Sequence, residues 1–444
     1  MTENIFRAYD IRGVYQKELT LDFAEKVGIC FGTFLGNKGV VVMSRDARHG
    51  GPEIQEAVSR GLNRAGLETI DAGMMPTPAA NYYTAKICAK AGVIISASHN
   101  PPEYNGIRFR KGDGSGYPEC IEAVKGMFLG GTWKEAKKPG SHKKDDNKKV
   151  IEDYLNDIVK KTKVPRQLKI VVDPGNGAAS GVGVRLFKKL GCSVTSINDF
   201  PDGDFPGRSA YPNEKTLGGL QSAVVSSRAD FGVAYDGDAD RAVFVDDIGH
   251  VNSAEEIGAI LAREILKEKK GEVALNIDCS MSVEEVVKAA GGTVKRIRVG
   301  DVFLADAAKT GAVFAMESSS HFVVPKYYIF DDGIAVSAYL AQILSKSGKK
   351  LSELTAAIPK YPVVRKTMEV PDDKKFRVVE KLAAMFKDKK PLTIDGVKIN
   401  YPNGWTLVRV SNTQPILRLT AEGKTQQEAE RMMAELEAAV KKCL

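Results

Sequence analysis

The stretch ADFGVAYDGDADR, residues 229–241, gives the clearest sign of the fold, because an apolar run ends there in three aspartates at alternate positions. A short apolar run followed by a polar loop is typical of a buried strand. Two other stretches have the same form: AGVIISASHNP at 91–101 and TGAVFAMESSSHF at 310–322. Each ends in polar or charged side chains that can bind a ligand or take part in a reaction. The pattern therefore predicts three strands whose ends carry function.

Each of these strands closes a longer unit of strand, loop, helix, glycine turn and second strand. The first strands of the three units begin at Gly39, Leu168 and Glu272. The pattern favours a triplicated domain, although unrelated strand-helix-strand units are the alternative. Strands alternating with helices predict mostly parallel sheets, whose ligands bind at the carboxyl ends of the strands. Three such loops could face one shared cleft.

The last part of the chain, after about Pro359, has a different pattern. It predicts a helix at 373–387, two short strands around YPNG at 401–404 and a closing helix from Thr425. Strands this close in sequence indicate antiparallel pairing in a small α+β domain. We therefore expect an α/β protein of 444 residues with three similar α/β domains, of mixed and mostly parallel sheets, and a C-terminal α+β domain. The predicted domain bounds are 1–145, 146–250, 251–360 and 361–444.

Composition argues against several classes of protein. The net charge is +8, but the densest lysine run, at 134–149, is interrupted by acids, which favours a solvated linker over a nucleic-acid surface. The surplus of positive charge suits an anionic small-molecule substrate. The six cysteines have no CxxC spacing, so neither a zinc site nor a disulfide framework is indicated. Without a leader or a membrane-spanning apolar run, we expect a cytoplasmic protein that binds neither membrane nor nucleic acid.

The loop DGDADR places Asp236, Asp238 and Asp240 at alternate positions after a strand. Three converging carboxylates suit Mg²⁺, which keeps places for water or a phosphate. An acidic surface turn is the alternative. An EF-hand does not fit, because Arg241 stands where that loop needs glycine. Arg241 could hold a substrate phosphate or neutralise the loop.

Two further segments could bind anions. The loop RVSNTQP offers a guanidinium, hydroxyls and an amide that could cradle a phosphate, from Arg409, Ser411, Asn412 and Thr413. A simple turn is the alternative. FRAYDIRGV, at 6–14, places Tyr9 and Arg12 on a terminal strand or on another anion-facing loop.

Two polar stretches raise questions of geometry. Ser98 and His99 are adjacent, and adjacent side chains on an extended chain point to opposite faces, so His99 is badly placed as a base for Ser98. We expect His99 to be a substrate-binding residue that positions the phosphate, or else to brace the loop. Glu317, Ser319 and His321 stand at every second position. On an extended segment they would share one face and suit hydrogen bonds to sugar hydroxyls, although an exposed polar strand is the alternative.

Together these motifs resemble the α-D-phosphohexomutase family, in particular its phosphomannomutase/phosphoglucomutase branch. The resemblance covers nearly the whole chain. It rests on FRAYDIRG, SRDAR, PTP at 76–78, SASHNPPEYNGIRF, DPGNGAA, DGDADR, VGD at 299–301, ESSSHF, FDDGI at 330–334 and RVSNTQP. It implies four domains around a central cleft, and a reversible exchange of phosphate between O6 and O1 of a hexose through a hexose 1,6-bisphosphate.

The resemblance also implies roles for single residues. Ser98 would carry a phosphoryl group and would hold Mg²⁺ together with Asp236, Asp238 and Asp240. Glu317 and Ser319 would grip the sugar. The loop of Arg409, Ser411, Asn412 and Thr413 would bind the phosphate that is not reacting. The substrates would be small-molecule hexose phosphates, with the bisphosphate as activator.

The chain departs from the family pattern in two places. Arg108 stands where the family commonly has lysine, and an arginine scarcely deprotonates, so His321, Arg12 and Arg108 are all candidates for the acid/base. The usual glycines of the sugar loop are replaced by Ala315, Met316 and Ser320. A phosphoglucosamine mutase, a non-catalytic sugar-phosphate-binding protein and a Mg²⁺-dependent phosphatase are the rival functions. The sequence does not settle whether the protein is a monomer or a homo-oligomer.

Overall fold

The computed structural model describes residues 5–411 and 415–444, in which the strands form four sheets of six, five, four and four strands. No helix in this part of the chain is both long and apolar enough to cross a membrane. The four sheets follow one another along the chain, as the sequence predicts.

The first sheet has the order β1-β5-β4-β2-β3-β6 and mixes parallel and antiparallel pairs. Its strands are β1 Ile11–Val14, β2 Val40–Arg45, β3 Glu68–Met74, β4 Ala91–Ile95, β5 Tyr104–Lys111 and β6 His142–Lys144. The helices of this region are α1 Leu21–Phe34, α2 Gly51–Arg64, α3 Thr77–Lys86 and α4 Glu119–Gly130. The lysine-rich run at 134–149 is largely exposed, as expected of a linker, but it also supplies the edge strand β6.

The second sheet has the order β11-β10-β9-β7-β8. Its strands are β7 Lys169–Asp173, β8 Ser193–Ser196, β9 Phe231–Tyr235, β10 Ala242–Asp246 and β11 Val251–Asn252. The accompanying helices are α5 Asn147–Lys161, α6 Val182–Lys189 and α7 Gly218–Ser227.

The third sheet has the order β13-β12-β14-β15. Its strands are β12 Glu272–Asn276, β13 Thr293–Ile297, β14 Phe314–Met316 and β15 Phe322–Val323. The accompanying helices are α8 Ala254–Glu268, α9 Met281–Ala289, α10 Asp301–Lys309, α11 Gly333–Ser347 and α12 Leu351–Ala356.

The predicted repeat is visible in the topology. In each sheet the first strand of the unit lies between its second and third strands in parallel, as β4-β2-β3, β9-β7-β8 and β14-β12-β13. The third strand then pairs antiparallel with the next strand along the chain, as β4-β5, β9-β10 and β14-β15. Strands buried on both faces need near-continuous apolar runs, which is the pattern of β4 and β9.

The fourth sheet is entirely antiparallel, with the order β16-β19-β18-β17. Its elements are β16 Val363–Glu369, α13 Asp372–Met385, β17 Val397–Tyr401, β18 Gly404–Val410, β19 Ile416–Gly423 and α14 Gln426–Cys443. Thr425 caps α14 by accepting a hydrogen bond from the backbone of Glu428. The predicted α+β domain is thus confirmed, with its own apolar core.

The segment at 6–14 is a terminal strand in part. Residues 11–14 form β1, which pairs antiparallel with β5 so that Arg12 lies opposite Gly106. A Cβ atom at Gly106 would lie 2.5 Å from the carbonyl oxygen of Ser96. A glycine is therefore needed at position 106 of β5, where β1 and the loop after β4 both approach this strand.

Candidate active site

The loops that end the third strands meet in a cleft of about 620 Å³. Ten of the residues predicted from the sequence line it: Tyr9, Arg12, Ser98, His99, Arg108, Arg241, Glu317, Ser319, His321 and Arg409. Asp236, Asp238 and Asp240 are fully buried beside Ser98 and Arg108. Asn412 and Thr413 lie outside the described residues. All four sheets contribute to the cleft.

Ser98 follows β4 in a left-handed backbone conformation, with φ of 51°. Its Oγ donates a hydrogen bond of 2.8 Å to Oδ2 of Asp236, which is on the neighbouring sheet. The loop is fixed from behind, because the buried guanidinium of Arg48 donates to the carbonyl oxygen of Ser98 at 2.7 Å. The serine hydroxyl is therefore held against a carboxylate from another domain.

His99 is not placed to act as a strong base toward Ser98. Burial, with the positive charges of Arg241 and Arg12, lowers the pKa of His99 to about 2, so its imidazole is neutral. Its Nδ1 lies 3.3 Å from Ser98 Oγ, and its ring packs on Tyr211 with centroids 5.3 Å apart. These contacts suit a residue that braces the loop.

The loop after β9 gathers Asp236, Asp238 and Asp240, with one ligand atom from each lying within 4.8 Å of the others. Gly237 lets the loop approach Ser98, because a Cβ atom there would lie 2.5 Å from the serine carbonyl oxygen. Burial, with Asp240 and Asp238, raises the pKa of Asp236 well above its usual value. Three carboxylates this close repel one another unless a cation lies between or beside them.

Arg108, on β5, supplies such a cation. Its Nη1 donates to Oδ2 of Asp238 at 2.7 Å and to Oδ2 of Asp240 at 2.8 Å, and its Nη2 donates to Asp301 at 3.1 Å. Burial acts to lower the pKa of Arg108, but the three carboxylates outweigh it and raise that pKa well above the ordinary value. Arg108 is a permanent cation in this setting.

His321 is held by two polar contacts. Its Nδ1 lies 2.5 Å from Asp331, and its Nε2 accepts a hydrogen bond of 2.6 Å from Nε of Arg241. Burial and Arg241 act to lower the pKa of His321, but Asp240 and Asp331 raise it to about 9. While Nε2 accepts from Arg241 it carries no proton, and with a pKa this high the imidazole takes up a proton there and holds it at neutral pH once Arg241 moves away.

The sugar loop corrects one prediction. Residues 317–321 are not extended, because the backbone N–H of Glu317 donates to the carbonyl oxygen of His321 at 2.9 Å and closes a turn. Ser320 makes this turn in a left-handed conformation, with φ of 68°. Because non-glycine residues rarely adopt this conformation, the sequence did not indicate the turn. The turn places Ser319 Oγ 2.8 Å from Glu317, whose other carboxylate oxygen accepts from the backbone N–H of Gly300. Glu317, Ser319 and His321 still line the same cleft.

The fourth sheet brings positive charge to the cleft. Arg409 on β18 lies directly opposite Arg418 on β19, and both line the cleft. Like charges in directly opposed positions destabilise a sheet. Asp395 offsets part of this charge, with a carboxylate oxygen 2.9 Å from Arg409. The arrangement favours the binding of an anion such as a phosphate.

Sequence reasoning missed several residues of the site. Arg418, Asp301 and Asp331 were not singled out, although the last two lie inside the quoted motifs VGD and FDDGI. Arg12 also has partners that the sequence did not suggest, since it donates to Asp10 and to Asn100, each at 2.8 Å. Cross-strand pairing of β18 and β19 was the signal that could have identified Arg418.

Comparison with known proteins assigns most of the chain to one family. Profiles of phosphoglucomutase/phosphomannomutase α/β/α domains I, II and III match residues 3–127, 152–249 and 253–361. The profile of the C-terminal domain of the same family matches residues 367–439. The chain therefore belongs to the α-D-phosphohexomutase family, as the resemblance of its motifs predicts. This is a family of phosphohexomutase enzymes.

Relatives with different names are about equally similar. A protein of Methanopyrus kandleri named "Probable phosphoglucosamine mutase" is 37% identical, over 99% of this chain and 98% of its own length. A "Phosphoglucomutase/phosphomannomutase" of Thermococcus kodakarensis is also 37% identical, over 96% of each chain. The two relatives are therefore equally similar to this chain and are named for different sugars.

Solved structures have the same four-domain architecture. A phosphoglucomutase/phosphomannomutase family protein from Burkholderia thailandensis has a TM-score of 0.90 at 30% identity, covering 100% of this chain and 98% of its own. An N-acetylphosphoglucosamine mutase from Aspergillus fumigatus, crystallised with GlcNAc-6P and magnesium, has a TM-score of 0.56 at 17% identity, covering 90% of this chain and 82% of its own. The second likeness concerns the fold alone.

Proposed function

We propose that the protein interconverts hexose 6-phosphate and hexose 1-phosphate, with mannose, glucose or both as the sugar. The reaction runs through a phosphorylated Ser98 and a hexose 1,6-bisphosphate that turns over in the cleft. The observation that carries this proposal is the 2.8 Å hydrogen bond from Ser98 Oγ to Asp236, within a cluster of three aspartates at the base of the cleft. Membership of the phosphohexomutase family supports it.

Asp236, Asp238 and Asp240 are the residues that would hold Mg²⁺, together with the phosphorylated Ser98. They fit an ion, because Oδ1 of Asp238 and Oδ1 of Asp240 are buried and accept no hydrogen bond from any described residue. When bound, the ion supplies positive charge beside the phosphoserine, which carries about −1.5 to −2 charge.

The reaction consists of two successive phosphoryl transfers. A sugar hydroxyl oxygen bonds to phosphorus while the bond from phosphorus to Ser98 Oγ breaks; the sugar hydroxyl gives its proton to a base, and Ser98 Oγ gains a proton and leaves as the free hydroxyl. The bisphosphate formed then turns over. Ser98 Oγ loses that proton and bonds to the other phosphorus, while the bond from this phosphorus to the sugar oxygen breaks and the sugar oxygen gains a proton. The residues of the cleft contribute mainly by positioning the reactants and stabilising charge, which is what phosphoryl transfer requires.

We propose His321 as the acid/base among the three candidates. Arg108 is held as a cation by three carboxylates, and Arg12 is paired with Asp10 at 2.7 Å. His321 has Nδ1 fixed by Asp331, which leaves Nε2 to take the proton when Arg241 turns toward a phosphate. The pKa of about 9 favours proton uptake at Nε2 once Arg241 has moved, and the imidazolium that forms can give the proton back to the sugar oxygen.

The phosphate that is not reacting is assigned to the fourth domain. Arg409 and Arg418 form the cationic pair there, and Tyr9 and Ser411 stay predictions as supporting contacts. Asn412 and Thr413 also stay predicted ligands of this phosphate. Glu317 and Ser319 are assigned to the sugar hydroxyls.

A phosphoglucosamine mutase is the rival function, because a relative of 37% identity bears that name. A coupled assay with glucose 1-phosphate, mannose 1-phosphate and glucosamine 1-phosphate separates the two. Under our proposal, the kcat/KM for glucose or mannose exceeds that for the amino sugar, and the Ser98→Ala variant is inactive on all three. A clear preference for glucosamine 1-phosphate would favour the rival. Release of inorganic phosphate faster than isomerisation would indicate a phosphatase.

A further inference from the structure

In Asp238 and in Asp240, the two carboxylate oxygens have different environments. Oδ2 of Asp238 accepts from Arg108 and also from Thr77 Oγ1 at 2.7 Å, and Oδ2 of Asp240 accepts from Arg108. The Oδ1 atoms of both aspartates are buried and accept nothing from any described residue. One oxygen of each carboxylate is thus hydrogen-bonded by the protein and the other is not, and the group that faces Oδ1 of Asp240 is His321 Nδ1 at 3.9 Å.

A guanidinium is suited to this task in a way that an ammonium is not. Its donors lie in a rigid planar fork, whereas lysine presents a point charge on a flexible stem. The Nη1 group of Arg108 reaches both carboxylates, while Nη2 reaches Asp301. Asp301 begins α10 of the third sheet region, so one side chain joins elements of three domains.

We propose that Arg108 is a positioning residue of the metal site: by holding Oδ2 of Asp238 and Asp240, it turns their Oδ1 atoms toward the ion. This inference rests on the metal site of the proposed function. Partners that orient metal ligands contribute to affinity, and their loss typically lowers metal affinity 10- to 100-fold. A lysine at this position could act as an acid or base. Arg108 instead orients two metal ligands.

Titration of the full-length protein with Mn²⁺, followed by electron paramagnetic resonance without any sugar phosphate, tests the inference. We expect Arg108→Gln to bind Mn²⁺ about 10- to 100-fold more weakly than the unaltered protein. Arg108→Lys should show an intermediate loss, because one ammonium can contact one carboxylate but not orient both. Arg110→Gln is the matched control, since Arg110 lies on the same strand and approaches Asp301 at 3.4 Å without contacting the aspartate cluster. It should bind Mn²⁺ as the unaltered protein does.

Equal Mn²⁺ binding by Arg108→Gln would overturn the inference, because the arginine would then have no effect on the site. Tighter binding would also overturn it and would identify the arginine as a competitor of the ion. Thermal melting in EDTA shows whether each variant is folded. If Arg108→Gln does not fold, Mn²⁺ binding by Arg108→Lys is the deciding measurement. Binding by this variant as tight as by the unaltered protein would contradict the inference. No Mn²⁺ uptake by the unaltered protein would overturn the inference together with the metal site. Mn²⁺ uptake without any mutase turnover would overturn only the proposed function.

Discussion

Oγ of Ser98 lies 2.8 Å from Oδ2 of Asp236, although the two residues belong to different sheets. The contact brings the ends of β4 and β9 together, and these are corresponding strands of two repeats. A phosphoryl group on Ser98 would therefore stand directly against the aspartate cluster. Such a group needs nearby positive charge, which Arg108, Arg241 and the proposed ion supply.

Replacing a proposed metal ligand should abolish most of the activity. We expect Asp236→Asn to lower mutase kcat by at least about 100-fold, the equivalent of roughly 3 kcal/mol of lost transition-state stabilisation. Mg²⁺ titration of the rate in a coupled assay measures the effect. Asp204→Asn, which alters an exposed aspartate, is the control and should match the unaltered protein. Full activity of Asp236→Asn would count against the metal site.

The arginine pair of the fourth domain should control substrate affinity. Charge-assisted hydrogen bonds are each equivalent to about 1.5–3 kcal/mol, so we expect Arg418→Ala to raise KM roughly 10- to 100-fold. Arg431→Ala removes the same charge from an exposed pair on α14 and should leave KM unchanged. Steady-state kinetics of both variants makes the comparison. An unchanged KM in Arg418→Ala would place the distal phosphate elsewhere.

The approach of the two loops should not tolerate a side chain at Gly237. A Cβ atom there would meet the carbonyl oxygen of Ser98 at 2.5 Å, so Gly237→Ala must displace the serine loop. We expect a lower kcat and a lower melting temperature. Gly218→Ala adds a Cβ atom with no heavy atom within 4 Å beyond its chain neighbours and the backbone of its own helix, and it should preserve both quantities. The same behaviour in the two variants would contradict the close packing.

Lys398 gives a prediction about pH. Its ammonium is buried and donates to the carbonyl oxygen of Ile277 at 2.7 Å. The Nζ atom lies 3.9 Å from the centroid of the Trp405 ring. Burial lowers the pKa of Lys398 from 10.5 to about 7. Because the unfolded chain binds this proton more tightly, the destabilisation is greatest below pH 7 and disappears as the pH rises toward 10.5.

The test of this prediction compares melting temperatures of the unaltered protein and Lys398→Met at pH 7 and pH 9.5. The lysine should gain on the order of 3 kcal/mol relative to methionine across this interval. The melting temperature of the variant, relative to the unaltered protein, should therefore fall as the pH rises. A difference that does not change with pH would show that Lys398 titrates normally.

Much of the fold follows from local patterns. The apolar runs before Ser98 and Asp236 identify β4 and β9, and glycines after the helices mark the joints of the repeat. The turn at Ser320 could not be predicted, because a non-glycine residue rarely adopts its left-handed conformation. Partners of Arg108 were also hidden, since Asp238 and Asp301 are distant in sequence and meet it only through tertiary packing.

The central claim is that Ser98 carries the phosphoryl group, and the intact mass of the purified protein tests it most directly. The mass is measured before and after incubation with glucose 1,6-bisphosphate, with peptide mapping to locate any added group. We predict one phosphoryl group on Ser98 and none on the Ser98→Ala variant. A protein that gains no phosphoryl group, or that gains it on a residue other than Ser98, would contradict the account.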